Sequence, residues 1–450
     1  MTIARGRTGT ISLDLPPEWT VGPERSEYEL LAYLPSPGES FAPTIVVTTN
    51  PFDGSIADFM ARVVDGVTEG TAAPQFVDIR GWTRTPGLEA GVELTSAEAL
   101  SGRSVAYTQL SPSRGLSLMS TEFLFIEAGL AVQVTATSAV NHWQTIGPLL
   151  SHIAATVQLN QQELEHHGAS EPAAMPSGAL DPVASAAFGH DVEKIAGLAG
   201  AQPFEFDGVW VHGRTIDTLI ALSDGLRLGA LNKSEHAEQL KELEELELVE
   251  GTRLTDVGET VGAHLTDPQS SYRITGFDTG GDCWFQAWTY GPTALLLVEP
   301  GYHRHLDGEP IPRPSNEHFN LKLVPLTMLS TLMSRWVGLQ PAWNLQLQPD
   351  PLPLDDLARG WRGDKTPPEG ANEAMRGLWT EPWFSWTLTS TGVDSEPEDI
   401  TYFNGGSTGH QRLFHEDEAA FFAPVASISV FLQIEDRIQA TVFGRNPVML

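Results

Sequence analysis

One cysteine, Cys283, stands in a chain of 450 residues. Its solitude excludes an internal disulfide and every zinc or iron–sulfur site built from several thiolates. Cations are scarce as well: 26 Lys and Arg face 58 Asp and Glu, a formal charge of −32. Most of the surface therefore repels a phosphate polyanion, and nucleic acid is excluded as a partner. No run approaches the roughly 20 apolar residues that cross a bilayer, and residues 1–12 hold no apolar leader core. A cytoplasmic protein without stable membrane insertion is expected. Neither Gly-x-x-x-x-Gly-Lys nor Gly-x-Gly-x-x-Gly occurs, so no cofactor is expected. What is there, 41% hydrophobic and 19% charged residues, suits a globular chain of two or three domains.

In the first 160 residues short strands are expected at Ile11–Pro17, where Pro16 and Pro17 close the element, at Tyr28–Tyr33 and at Thr44–Thr49. Ile56, Phe59, Met60, Val63, Val64 and Val67 recur at spacings of three and four and predict an amphipathic helix. Its expected platform is a hairpin over Ser120–Ser138, turned at Ala128-Gly129. There Phe123, Phe125, Leu130, Val132 and Val134 alternate, one face core and the other wet. A helix from Trp143 to Thr156 and a strand at Val157–Leu159 close the unit. The order "ISLDLPPEWT", "FAPTIVVTT", amphipathic helix, "YTQL" and "LFIEAGLAVQVTATS" resembles the PsbP-like domains of the actinobacterial LpqN type. That resemblance covers residues 9–159, carries no catalytic motif, and implies an accessory or binding module.

Residues 161–203 turn rich in Glu, His, Ala, Gly and Pro and predict a linker. Within it His166 and His167 are adjacent in a polar tract, point different ways, and are expected to be solvated rather than metal-bound. From Thr215 to Leu265 three helices are expected: one with Leu219, Leu222 and Leu226, one capped by Asn232 with Leu240 and Leu243, and one opening at Thr255. The segment "LELVEGTRLTDVGETVGAHL" resembles a winged helix. A recognition helix would need cations, yet six glutamates between Glu235 and Glu247 face only Lys233 and Lys241.

Further on, "CWFQAWTYGPTALLLVEPG" predicts a hairpin with Trp284, Gln286 and Trp288 on one face. Leu295, Leu296 and Leu297 read as a strand buried on both sides, and Leu329, Leu332, Met333 and Trp336 as a helix. "WFSWTLTS" and a hairpin "ISVFLQIEDRIQATVFG" turned at Glu435-Asp436 are expected to end the sheet. The leucine-rich helical start, the Trp-bearing hairpin, "LKLVPLTMLSTLM" and the late Trp/Phe strand resemble the EspG family over residues 205–445. The resemblance implies a cytosolic, non-enzymatic chaperone of ESX (type VII) secretion that holds a secreted protein before export. The expected fold class is thus α+β in two domains, residues 1–160 and 204–450, each an antiparallel sheet with helices packed on it.

Chemistry has few candidates. Gly405-Gly406-Ser407-Thr408-Gly409 satisfies the Gly-x-Ser-x-Gly pattern of a hydrolase elbow, but such a serine needs a following helix and a later acid and histidine. A serine hydrolase using Ser407 and a winged-helix regulator are therefore kept as alternatives. His303, His305, Asp307 and Glu309 have metal-ligating side chains but surround Arg304 in a proline-rich loop. Asp355-Asp356 reads as an acidic helix start. Of 12 tryptophans, Trp284, Trp288, Trp383 and Trp386 are the candidate partner-binding residues, because aromatic anchors carry binding energy on a surface where charges do not. Trp383 and Trp386 differ by an odd number, so in one strand they would point to opposite faces and leave one exposed. No catalytic, cofactor or metal residue is assigned. The expected partner is a protein, a helical type VII secretion substrate.

Overall fold

The computed structural model describes residues 1–36, 41–82, 102–111, 115–160, 202–227, 234–306, 311–342, 349–393, 399–416 and 418–444. The linker tract up to residue 201, with His166 and His167, lies outside them, as do Asn232, Asp307 and Glu309.

The first half contains ten strands and two helices among the described residues. The strands are β1 (Thr2–Arg5), β2 (Ile11–Leu15), β3 (Thr20–Val21), β4 (Leu30–Tyr33), β5 (Thr44–Pro51), β6 (Gln75–Trp82), β7 (Gly102–Ser111), β8 (Leu116–Glu127), β9 (Leu130–Ala139) and β10 (Gln158–Leu159). The helices are α1 (Ile56–Gly70) and α2 (Trp143–Ala155). Seven strands form one antiparallel sheet in the order β3-β4-β5-β9-β8-β7-β6, and β1-β2-β10 form a small second one. At the β8–β9 turn Ala128 and Gly129 both take positive φ, 52° and 72°, the conformation that lets a two-residue turn follow the strand twist. Ser55 caps α1 through a reciprocal box with Asp58.

The helix does not lie where the alternation suggested. Phe59, Met60, Val63 and Val67 of α1 pack on Val105, Tyr107, Leu124 and Ala131. Leu124 and Ala131 belong to the reverse face of the hairpin, the one expected to be wet, and Val105 and Tyr107 of β7 continue that face. Phe123, Phe125, Val132 and Val134 face the other way, into a core shared with α2 and with the second half of the chain. Both faces of the sheet are therefore covered. The reverse face looks polar in sequence because Glu122, Gln133 and Thr135 sit on it, yet they bond to each other.

The second half is built on one ten-stranded sheet, all of whose pairs are antiparallel. Its strands are β11 (Val209–His212), β14 (Ser270–Asp278), β15 (Gly281–Tyr290), β16 (Thr293–Val298), β17 (His318–Pro325), β18 (Leu352–Pro353), β19 (Phe384–Thr391), β20 (Ile400–Asn404), β21 (His410–Glu416) and β22 (Ala419–Pro424). Their order is β11-β17-β16-β15-β14-β19-β20-β21-β22-β18, while β12 (Val249–Glu250) and β13 (Arg253–Leu254) form a separate short hairpin. Seven helices accompany them among the described residues: α3 (Gly213–Ser223), α4 (Ala237–Glu245), α5 (Asp256–Thr266), α6 (Leu329–Trp336), α7 (Leu354–Trp361), α8 (Glu373–Thr380) and α9 (Ser427–Phe443). The architecture is α+β, sheets with helices packed against them.

Alternation along the register divides the large sheet into two faces. On the inner face Tyr272, Ile274, Phe285, Ala287, Phe384, Trp386 and Tyr402 meet α6 and α9 in the shared core. On the outer face α3, α4 and α5 bring Leu219, Leu240, Leu243 and Val261 down on Leu295, Leu297 and Leu321. Farther along the same face α7 and α8 bring Leu357, Met375, Leu378 and Trp379 onto Phe403 and Phe422. Thr255 caps α5 by accepting from Gly258 N–H, as expected, whereas α4 begins only at Ala237 after His236.

The terminal hairpin expected around Glu435-Asp436 is instead the helix α9. Ile428, Val430, Phe431, Ile434, Ile438 and Thr441 are buried on several sides of it, because α9 packs both on β19 and on β6 of the first half. A helix enclosed between two sheets loses the one-sided stripe that separates period 3.6 from period 2. No strand pairs across the two halves among the described residues, yet side chains join them. Thr331 donates to Thr108 Oγ1 at 3.1 Å, and Arg335 donates to the Ala73 and Pro74 carbonyls at 3.0 and 3.1 Å. No helix among the described residues is long and apolar enough to cross a membrane.

Candidate partner-binding face

Between its two helical layers the outer face of the large sheet is open among the described residues. Cross-strand register sets Arg273 and Thr275 of β14 beside Gln286 and Trp284 of β15 on one side, and beside Thr389 and Thr387 of β19 on the other. Arg273, Thr275 and Thr389 are exposed, and Gln286 and Thr387 are half-buried. Thr387 and Thr401 share a hydroxyl hydrogen bond at 3.1 Å, and Thr389 donates to the Arg273 carbonyl at 3.3 Å. This floor is polar and neutral apart from one guanidinium.

Its margins are aromatic. Trp284 stacks on Phe319 with ring centroids 4.7 Å apart, and the Arg273 guanidinium lies 5.9 Å from the Trp284 ring centre. Trp288, also half-buried, leans on the core under α3, α4 and α5. At the opposite margin Phe277, 43% exposed, meets Trp361 at 5.3 Å. Trp284 and Trp288 thus sit where the sequence placed them, sharing a face with Gln286 and partly accessible.

Trp383 and Trp386 do not. Trp383 is 4% exposed and Trp386 1%. The parity argument fails because β19 begins at Phe384, so Trp383 precedes the strand. It is packed among Trp361, Trp379 and Phe403, donating Nε1–H to the Leu378 carbonyl at 3.1 Å. Trp386 points into the inner core beside Tyr402 and His410. Neither presents a surface to a partner. Arg273 and the Phe277–Trp361 pair were missed in sequence, where only the β14–β15 register would have revealed them.

Ser407 lies exposed in a 3-10 turn, Gly406–Thr408, which runs into β21 rather than a helix. Its hydroxyl donates to Glu381 Oε1. The nearest histidine in sequence, His410, is wholly buried against Trp386 and Tyr402, and that burial pushes its pKa down to about 3. Among the described residues no histidine hydrogen-bonds this serine, so the histidine of a hydrolase triad is not in place.

His303, Arg304 and His305 lie in a 3-10 turn, Tyr302–His305. Arg304 and His305 both reach Asp278 at 2.9 Å. Burial opposes ionisation of Asp278, but the His305 hydrogen bond and the Arg304 charge outweigh it and hold the carboxyl below its usual range. The cluster is an ion-paired clamp on the β14–β15 turn. Cys283, buried, is contacted by Arg304 at 3.1 Å, and burial pushes its thiol up to about 12. It is not a reactive thiol at neutral pH. Asp355 and Asp356 occupy the first turn of α7, with Asp356 accepting from Arg359 at 2.6 Å.

No family model matches this chain, and no curated protein does. Solved structures similar to it include the PsbP protein CyanoP of Synechocystis (9% identity, 35% of this chain and 92% of that one, TM-score 0.26). Another is LpqN of Mycobacterium tuberculosis, described as involved in cell envelope biogenesis (14%, 35% and 90%, 0.25). A third is the Ran-binding protein Mog1p of Saccharomyces cerevisiae (10%, 36% and 97%, 0.25). The first two are the PsbP and LpqN types named from the sequence of the first half. None of the three bears on the EspG resemblance, and likenesses of this size carry no functional argument.

Proposed function

We propose that this chain is a non-catalytic, cytoplasmic adaptor of type VII secretion, in which the open outer face of the large sheet holds a helical secreted protein. The observation that carries the reading is the pairing of a hydroxyl-rich floor, charged only at Arg273, with half-buried Trp284 and Trp288 at its margin. Such a margin offers apolar anchor points on a molecule whose overall charge, −32, discourages polyanions. The EspG resemblance suggests the class of client, and the accessible Trp284 and Trp288 support this face as its seat. Ser407, in a turn that runs into β21 and with no histidine bonded to it among the described residues, lends no support to a triad hydrolase.

The test is a titration of the purified chain with a purified helical type VII substrate at low salt and at about 1 M salt, where screening lengths shrink to about 3 Å. Binding through aromatic anchors persists at high salt and falls about thirtyfold or more in Trp284→Ala, the loss of an interface hot spot. No binding, or binding lost in salt and indifferent to Trp284, would overturn the reading.

A further inference from the structure

The first sheet carries a carboxylate that no cation balances among the described residues. Glu122, in the middle of β8 and 2% exposed, sits on the face that α1 partly covers. Its Oε1 accepts from the Tyr107 hydroxyl at 2.9 Å, and its Oε2 accepts from Thr135 Oγ1 at 2.6 Å and Gln133 Nε2 at 3.1 Å. Three neutral donors converging on both oxygens is the arrangement that suits an ionised, acceptor-only carboxylate. Among the described residues no cationic side chain pairs with it. Burial accordingly raises its pKa against the pull of those hydrogen bonds. A desolvated carboxylate without a countercharge is disfavoured in its ionised form, and an arriving cation would relieve that.

That carboxylate is not sealed in. A cleft of about 500 Å³ runs past it between the flank of α1 and the sheet. The volume lies in the range of small-molecule sites. Phe52, Phe59 and Tyr107 line it, and on the helix side it is bordered by Arg62, Gly66 and Gly70, four residues apart and so on one flank. A Cβ at Gly66 would meet nothing within 4 Å. Glycine inside a helix is less favourable than alanine, and packing against the described residues does not demand it here. What it provides is an unobstructed mouth.

We propose that this cleft binds a small organic cation, a primary ammonium on an aromatic or alkyl body, with the ammonium against Glu122 and the body along Phe52 and Phe59. An ammonium against Glu122 favours the ionised carboxylate that burial alone disfavours, and the ring faces attract the same charge. The mouth already shows that chemistry: the Arg62 guanidinium lies 4.8 Å from the centre of the Phe52 ring. Arg62 is exposed, so its repulsion is screened by solvent, whereas the attraction of Glu122 acts in a desolvated place. The overall charge of −32 adds a field of the favourable sign.

Calorimetric titration of the full chain with phenethylamine, phenethyl alcohol and phenylacetate tests the proposal. These probes share one body and carry a positive, a neutral and a negative head. The amine is expected to bind saturably and at least about tenfold more tightly than the alcohol, as a charge-assisted bond implies, with no binding of phenylacetate. Glu122→Gln, which keeps size and shape, is expected to erase the preference for the amine. Gly66→Leu, which fills the mouth and leaves Glu122 in place, is expected to abolish binding of both amine and alcohol, with the fold checked by circular dichroism. Equal binding of amine and alcohol overturns the proposal, as does a preference for phenylacetate through Arg62, an amine preference that survives Glu122→Gln, or no saturable binding at all.

Discussion

The side-chain amide of Gln202 reads both backbone groups of Phe76. Its Oε1 accepts the Phe76 N–H at 2.7 Å, and its Nε2 donates to the Phe76 carbonyl at 2.9 Å and to the Leu339 carbonyl at 3.2 Å. β6 is an edge strand of the seven-stranded sheet, and its pairing with β7 is irregular between Phe76 and Asp78. One glutamine thus imitates the missing neighbour strand at the point where the ladder falters, and ties that point to the second half.

Gln202→Ala would leave the Phe76 groups buried and unpaired. We expect a loss of about 2–6 kcal/mol, from two backbone groups at roughly 1–3 each, measured by urea unfolding of the full chain. Because Thr331, Arg335 and Gln202 all bridge the halves, a chain cut by protease within residues 161–201 is expected to co-elute as two associated fragments. Fragments that separate on gel filtration under native conditions would contradict it.

His410 gives the fold an acid limit. Its pKa in the fold is pushed down to about 3 by burial, against about 6.5 in an unfolded chain. The stability it contributes is complete above pH 6.5 and is lost as the pH falls, since the unfolded chain takes up a proton that the fold refuses. Between about pH 6.5 and 3 the folding equilibrium shifts by up to about tenfold per pH unit. Glu122, Glu435 and Asp78, buried carboxyls with raised pKa, act in the opposite sense. They are common to wild type and to His410→Phe, so the difference between the two unfolding curves isolates the histidine. A flat difference across that window would contradict the assignment.

The four tryptophans separate by what they cost. Trp383→Ala, deep among Trp361, Trp379 and Phe403, is expected to lose about 3–5 kcal/mol of stability as a core truncation. Trp288→Ala, half-buried, should lose about 1–2 kcal/mol. Thermal unfolding of the pair checks the ordering, and a reversal would place the accessible tryptophans wrongly.

Ser407→Ala is expected to change stability by no more than about half a kcal/mol, as for most exposed positions. Its bond to Glu381 is at the surface and is replaced by water. Unfolding in guanidinium measures this, and a loss above about 2 kcal/mol would mean that the turn depends on the hydroxyl.

Much of the element order was legible in the sequence because most elements have one buried side. The α1 stripe, the β8–β9 hairpin, the β15–β16 hairpin and α6 all appear where the periodicity places them. What the sequence concealed follows from double burial. α9 reads as alternating because it is enclosed by two sheets, and the hairpin face bearing Glu122 reads as wet because its polar groups satisfy one another. The candidate face was half legible: alternation gives Trp284, Gln286 and Trp288, but the opening between helix layers depends on which strands neighbour β14, and that is fixed by long-range pairing with β19.

The position of α9 also bears on how the protein comes into being. β6 and the turn at Val140–His142 of the first half pack against a helix that begins at Ser427. On the ribosome the first sheet emerges long before its lid, so part of the surface around β6 stays uncovered while the whole second half is translated. Contacts so remote in sequence close late and slowly, and until then the nascent chain offers apolar surface to its neighbours. For this protein the exposure is expected to be greatest during synthesis and to end when that late helix docks.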